Sequence, residues 1–300
     1  MKLLDLSPLS VGPAGGPALP GISSLIDGEW VHGSGSLQNC RVDPQSTVLD
    51  VWENLSLDPL VTGRGMRHRA DLAVAQLNTL SLDTGCEWCV AVPMTWSRPV
   101  VQLFLGVARE CGLTIGGLFP RALAAAALTC PGEEEVRVLE WGWKHLMCGT
   151  VRLKEGEWRL SDVVTLPEGG VIPSFRRESG VAAREMLEQH RVDPLYSGTT
   201  EQELFDSWWD WHTGASSDWG STTGSLRVVH SEEQKRFYPL HHALLEAQGI
   251  ANTPAVVGPP PLCHLVGFDR WTAEVSDLSG ACSLLNLEEG KGPRWRDGLQ

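Results

Sequence analysis

Cys86-Glu87-Trp88-Cys89 is the only C-x-x-C in the chain, and two thiols at that spacing can clasp a zinc ion or cycle as a dithiol. No second close Cys/His pair follows at finger-like spacing, so His145 and Cys148 complete a zinc site only if the fold carries them there. The simpler expectation buries Cys89 in a strand and leaves Cys86 in the turn before it. Trp208-Trp209-Asp210-Trp211-His212 follows helical spacing: Leu204, Trp208 and Trp211 share one face, and Phe205, Trp209 and His212 lie beside it. Either the helix packs into the core, or Trp208, Trp209 and Trp211 form an exposed patch for a protein partner, because tryptophan is enriched in interface hot spots. Trp219 joins such a patch if its loop folds back. His241-His242 reads as surface polarity and Glu133–Glu135 as a solvated turn. A nucleophile elbow, a Walker loop and a zinc-protease helix are all missing from the sequence.

The elements that must position these residues follow from periodicity and punctuation. Asp27-Gly28 between two apolar stretches predicts a tight hairpin over 24–31. Leu72, Val74, Leu77 and Leu80 predict an amphipathic helix over 67–80. The apolar run Trp88–Val92, ended by Pro93, predicts a buried strand, and a helix follows over 99–111 with Gly112 as its stop. A short strand over 113–118 leads to an alanine-rich helix over 120–129, whose small side chains let it pack against a sheet. Beyond the charged break at 132–135, three strands are predicted at 136–140, 148–153 and 157–160. Helices are expected over 179–190 and 200–212, the second opened by the capping-box pair Thr200 and Glu203. A third helical segment starts at Ser231 and is kinked at Pro239, Pro259–Pro261 forms a loop, and the tail from Glu288 reads as mobile.

Composition narrows the function classes. The 300 residues carry a formal net charge of −13, from 37 acidic against 24 basic residues, which argues against a nucleic-acid partner. At 42% apolar and 20% charged, the chain can bury a substantial core. Asp5 and Pro8 interrupt any signal-peptide stretch, no apolar run is long enough to span a bilayer, and the eight cysteines are scattered. A cytoplasmic location with free thiols is the expectation.

The order of elements and several short motifs together resemble the seventy-kilodalton heat-shock (DnaK-like) chaperones. Pro20 to Gly33 is similar to their early hairpin, and Asp43-Pro44-Gln45-Ser46-Thr47-Val48-Leu49-Asp50 to their "NP-x-N-T-V-x-D" segment. Val90–Pro93 followed by Ala108–Leu113 resembles "ITVPA … A-x-x-x-AGL", and Phe119–Ala126 resembles "EPTAAAL". The resemblance covers roughly residues 1–175. It implies the α/β fold shared by actin, sugar kinases and these chaperones: two ribonuclease H-like lobes with a nucleotide cleft between them. Lobe I would span 1–131, a trimmed lobe II with its return segment 132–287, and a flexible tail 288–300.

Through that resemblance, the cleft can be read residue by residue. The family's first phosphate loop, "D-L-G-T-T", corresponds to Asp5-Leu6-Ser7-Pro8-Leu9-Ser10, where Asp5 remains but Ser7 replaces glycine and Pro8 removes an amide donor. The second, "D-L-G-G-G-T", corresponds to Glu140-Trp141-Gly142-Trp143-Lys144-His145. There, the Trp143 indole is expected to fill the volume of the γ-phosphate, and Lys144 to be a possible substitute positive charge. The segment carrying the family's catalytic lysine reads Val51-Trp52-Glu53-Asn54-Leu55 and has none, and Phe119 stands where the family has a glutamate. Glu168-Gly169-Gly170 resembles the "L-G-G" turn, and Gly258 is what remains of the late adenosine loop.

The implied nucleotide-binding residues are therefore Asp5, Ser7, Ser10, Glu140, Gly142, Lys144, Gly169, Gly170 and Gly258, with no catalytic residue and no metal ligand among them. The expectation is a pseudo-ATPase without a cofactor. It would act through another protein, an intact ATPase of the same superfamily being a natural partner, and not on nucleic acid or membrane. The alternative is a residual, chaperone-like ATPase that holds Mg-ATP through Asp5, Glu140 and Lys144. A small-molecule kinase of the same fold is disfavoured, because the sugar-binding acid and the phosphate loop are missing.

Overall fold

The computed structural model describes residues 1–61, 65–212, 256–258, 271–273 and 294–295. Asp27 and Gly28 both take positive φ, 51° and 88°, the left-handed twist that lets a two-residue turn join antiparallel strands. Strands β4 (Ser23–Ile26) and β5 (Glu29–His32) pair across it as the Asp-Gly signal predicts, and with β6 (Thr47–Val48) they make a three-stranded sheet. Helix α1 (Ser34–Leu37) lies between β5 and β6.

The largest sheet has six strands. β1 (Lys2–Leu6) pairs antiparallel with β2 (Ser10–Pro13), which pairs antiparallel with β3 (Leu19–Pro20). On its other edge, β1 runs parallel to β7 (Glu87–Val92), and β7 to β8 (Thr114–Pro120). Helices α2 (Arg69–Thr79) and α3 (Arg98–Glu110) pack beside this sheet over a core that includes Leu4, Trp52, Leu72, Val90 and Phe104. Pro99 lies in the first turn of α3, where its missing N–H has no intrahelical role.

A second sheet of five strands repeats that order. β9 (Glu135–Trp141), β10 (Leu146–Lys154) and β11 (Glu157–Leu166) form an antiparallel meander; β9 and β10 outrun the predicted strands at both ends, and β11 starts as predicted but runs on to Leu166. Helices α5 (Val171–His190) and α6 (Gly198–His212) follow. β12 (Val256–Gly258) then runs parallel to β9, and β13 (Trp271–Ala273) parallel to β12. Among the described residues, the third, second and first strands of each sheet are antiparallel, and later strands extend the first in parallel, β7, β8 and β14 in the six-stranded sheet and β12 and β13 in the five-stranded one. The fold is thus mixed α/β with mixed sheets.

Helix α4 (Arg121–Thr129) joins the two large sheets. Ala122, Leu123, Ala124, Ala125 and Ala126 are buried in one core cluster with Leu3, Cys89 and Phe119 of the first sheet and with Val136, Val138 and Met147 of the second. Alanine's small side chain is what allows a sheet to lie against both sides of one helix.

Three expectations change. Helix α5 begins at Val171 rather than Ser179, because Pro173 falls in its first turn and does not stop it. Part of the tail expected to be mobile is tied down, since β14 (Arg294–Trp295) pairs parallel with Gly117 and Leu118 of β8. Trp208 is fully buried, so it packs the core instead of an exposed patch. The helical segment expected from Ser231, the Pro259–Pro261 loop, Trp219 and His241-His242 lie outside the described residues.

Candidate functional site

Both turns matched to phosphate loops are hairpins between the first two strands of a large sheet. In the first, Ser7 N–H donates to the Ser10 carbonyl at 2.9 Å. The Ser7 hydroxyl oxygen accepts from Ser10 N–H at 2.9 Å and from Leu9 N–H at 3.2 Å, and lies 3.0 Å from Ser10 Oγ. The amides that a glycine-rich turn would offer to a ligand are folded onto the turn's own side chain, and Pro8 contributes none.

Asp5, near the end of β1, meets an arginine. Arg121 Nε donates to Asp5 Oδ1 at 2.8 Å and Arg121 Nη2 to Oδ2 at 3.2 Å, a two-point pairing that a guanidinium's planar fork suits. Glu140, near the end of β9, feels the same arginine. Its carboxyl is 2% exposed; Oε2 accepts from Met94 N–H at 2.9 Å, and Oε1 is buried without a hydrogen bond. Burial pushes the Glu140 carboxyl up to about 7, with the Arg121 charge opposing the rise.

The second turn, Gly142 to His145, connects β9 to β10 and is closed by Gly142 N–H donating to the His145 carbonyl at 2.8 Å. Two of its amides converge on one carboxylate: Lys144 N–H donates to Glu53 Oε2 at 3.1 Å, and His145 N–H to Glu53 Oε1 at 3.1 Å. The His145 ring adds Nδ1 at 2.5 Å from Oε1. Glu53 comes from the segment between β6 and α2, and its side chain is 3% exposed. Gly142 is needed beneath it, since a Cβ there would stand 2.8 Å from Glu53 Cδ and 2.9 Å from both carboxylate oxygens. Consecutive backbone amides gripping an oxyanion over a glycine is the chemistry of a phosphate cradle. In this chain, the oxyanion is a side chain.

Lys144 turns away from that anion. Its Nζ lies 2.7 Å from Asp50 Oδ2, and Asp50 also takes Arg69 on both oxygens and Asn54 Nδ2 at 2.8 Å. Burial would push the Asp50 carboxyl up, but Lys144, the Arg69 charge and Asn54 outweigh it and hold the group below its ordinary value. The Lys144 ammonium thus pairs with a buried carboxylate other than Glu53.

The glycine pair after β11 serves the same turn. Val171 and Ile172, at the start of α5, donate to the carbonyls of Gly142 and Trp143, both at 2.9 Å. A Cβ on Gly170 would collide with the backbone of Lys144 and His145, so only glycine allows this approach. Trp141 Nε1 donates to the Gly169 carbonyl at 2.9 Å.

The Trp143 indole is fully buried in the core and stacks on the half-buried Trp209, with centroids 5.5 Å apart and an 11° angle between rings. Trp208 sits beside it among Phe175, Phe205 and Trp141, with Nε1 donating to Glu178 Oε2 at 2.7 Å. Trp211 falls in the last turn of the same helix.

Gly258 ends β12 opposite Ala273, and the rest of its loop lies outside the described residues. Cys86 lies in the turn before β7, Cys89 is buried within that strand, and no disulfide forms among the described cysteines. No described helix is long and apolar enough to cross a membrane.

The fold thus brings together Asp5, Ser7, Ser10, Glu140, Gly142, Lys144, Gly169 and Gly170 around two strand-end turns. Glu53, Asp50, Arg69 and Arg121 were missed as functional groups, and His145 was weighed only as a zinc ligand. The available signal was a reversal of charge: an acid in the segment where the family has its lysine, and a lysine in the loop where it has glycine. No protein-family model matches the chain, and no curated protein matches it significantly, so its geometry has to carry the functional reading.

Proposed function

We propose that this chain is a degenerate member of the actin/heat-shock-chaperone superfamily, a pseudo-ATPase that works by binding another protein. The repeated strand order supports the superfamily reading, because each large sheet holds an antiparallel 3-2-1 meander extended by parallel strands, as in a duplicated ribonuclease H-like fold, with β14 as an added edge strand on the first sheet. One observation carries the loss of ATPase function: the Glu53 carboxylate accepts the Lys144 and His145 amides over Gly142, where a phosphate would need them. Ser7 consumes the donors of the other turn, and Arg121 holds Asp5.

Mg-ATP does not fit these residues. Its phosphates would have to displace a buried carboxylate already hydrogen-bonded at three points, and its metal would have to displace a guanidinium. Without a nucleotide cycle, the chain's contribution would be a fixed surface for a partner, such as an intact ATPase of the same superfamily. With Trp208 in the core, that surface excludes it.

Calorimetric titration with Mg-ATP tests the reading. The expected result is no heat of binding for the wild-type chain. Micromolar binding that disappears in Asp5→Ala or Glu140→Ala would overturn it in favour of a residual ATPase. Purification from the native host tests the partner, and a strictly solitary monomer would count against it.

A further inference from the structure

Beside the Glu53 site, but not part of it, a cavity of about 320 Å³ opens between the segment 44–50, the loop around Pro59 and Leu60, and the Lys144 turn. Its polar wall is Asp50, Arg69 and Lys144; its apolar wall includes Val48, Leu49 and Leu60. The size lies at the lower end of small-ligand sites.

The charges on this wall do not balance. Among the described residues, Asp50 is the only carboxylate lining the cavity, and it faces two cations. Its acceptor capacity is filled: Oδ1 takes Arg69 Nε and Nη2, each at 3.1 Å, and Oδ2 takes Lys144 Nζ at 2.7 Å, Asn54 Nδ2 at 2.8 Å and Arg69 Nη2 at 3.2 Å. Arg69 Nη1 and the remaining Lys144 ammonium protons are left as donors, with the Arg69 and Lys144 side chains 21% and 48% exposed. Counted over the described residues that line the cavity, two cations stand against one carboxylate, with the Glu53 carboxylate turned onto the backbone amides behind them. That leaves one positive charge in surplus on this wall, in a chain of net charge −13 with five lysines, and favours an anion. The site is also pre-organised, because Asp50 at 3% exposure fixes both cations in place.

We propose that this cavity binds an organic carboxylate: a monoanionic head on Lys144 and Arg69, with a short branched apolar group against Val48, Leu49 and Leu60. Two sources carry that chemistry, a free small acid and the C-terminus of a polypeptide ending in an apolar residue. The inference is independent of the pseudo-ATPase reading, since Lys144 acts here through its side chain and holds Glu53 through its backbone amide.

Titration calorimetry with 4-methylpentanoate and with a short peptide ending in a leucine carboxylate tests it. The same peptide as its C-terminal amide, 4-methylpentylamine and inorganic phosphate serve as controls. At least one carboxylate probe binds the wild-type chain, the amide and the amine do not, and Lys144→Met weakens binding by about tenfold or more. Gln45→Glu adds a carboxylate to the exposed rim without touching the ion pairs, and it also weakens binding. Binding by the peptide alone assigns the site to a partner's terminus, and binding by the free acid alone assigns it to a small molecule. Failure of both carboxylates, equal binding of phosphate or the amine, or indifference to both substitutions overturns the proposal.

Discussion

Replacing Glu53 by glutamine keeps the side chain's size and removes only its charge and one acceptor. In the wild-type chain, Oε2 faces Lys144 N–H at 3.1 Å, while Oε1 faces His145 N–H at 3.1 Å and the His145 ring at 2.5 Å. A carboxamide has one oxygen and one NH₂ group. Whichever way it is turned, NH₂ meets a backbone N–H and one donor loses its partner. An unsatisfied buried donor costs about 1–3 kcal/mol, and the surviving bonds lose their charge assistance, about 1 kcal/mol more. Lys144 is exposed and these bonds are only partly buried, so water softens the upper figure, and about 2 kcal/mol is the expected loss. Equilibrium urea unfolding, followed by tryptophan fluorescence and by circular dichroism together, measures it. Glu53→Ala serves as a check: with the carboxyl gone, the amides are open to water, and phosphate binding becomes measurable by calorimetry. A Glu53→Gln stability within about 0.5 kcal/mol of wild type would refute the argument, because it would mean that the amides do not need the carboxylate.

Other consequences are as direct. Trp208→Ala removes a fully buried indole that touches Phe175, Phe205 and Trp141 and should cost about 3–5 kcal/mol in the same urea assay; a loss below about 1 kcal/mol would place the ring at the surface. Gly170→Ala drives a Cβ into the Lys144 and His145 backbone, so it should destabilise by several kcal/mol and raise amide hydrogen exchange over 142–146. Glu140, raised by burial from an ordinary 4.5 to about 7, holds its proton more tightly folded than unfolded. Its contribution to stability is therefore complete below about pH 4.5 and is lost as the pH rises through about 7, an effect on the order of 3 kcal/mol. Glu140→Gln should flatten that part of the stability profile, and an unchanged slope between pH 5 and pH 7 would contradict the assignment.

The parts of the fold that were legible in the sequence are those specified by neighbours in the chain. The Asp27-Gly28 turn, the spacing of Leu72 and Leu77, the run Trp88–Val92 and the meander after residue 135 each carry their own signal, and each element stands within a few residues of its expectation. Helix α5 starts eight residues before its expected position: Gly170, just ahead of it, is needed for a close backbone approach, and Pro173 is tolerated in a first turn. The candidate site divides in the same way. Its turns could be located from short motifs, but their occupants could not, because Glu53 lies 91 residues from Lys144 and Asp5 lies 116 residues from Arg121. Trp143 illustrates the limit: its position in the loop was read correctly, yet the direction of its ring was set by Trp209 across the core.

If the pseudo-ATPase reading proposed above holds, the arrangement also bears on how reversible the loss would be. A nucleotide site divides its charges between ligand and protein: the ligand supplies anions and a metal, and the protein supplies amides, a lysine and carboxylates. In this chain, both halves of that balance are internal, with Glu53 on the amides, Arg121 on Asp5, and Lys144 on Asp50. Each of these pairings holds a largely buried carboxylate, so removing its partner leaves that carboxylate desolvated and uncompensated, which costs more than the intact pair contributes. Glu53→Ala alone would expose two amides and still leave the guanidinium on Asp5 and the ammonium on Asp50. Recovering a metal-nucleotide site would therefore take several concurrent substitutions, each destabilising without the others, and that coupling favours the self-filled state over drift back toward catalysis.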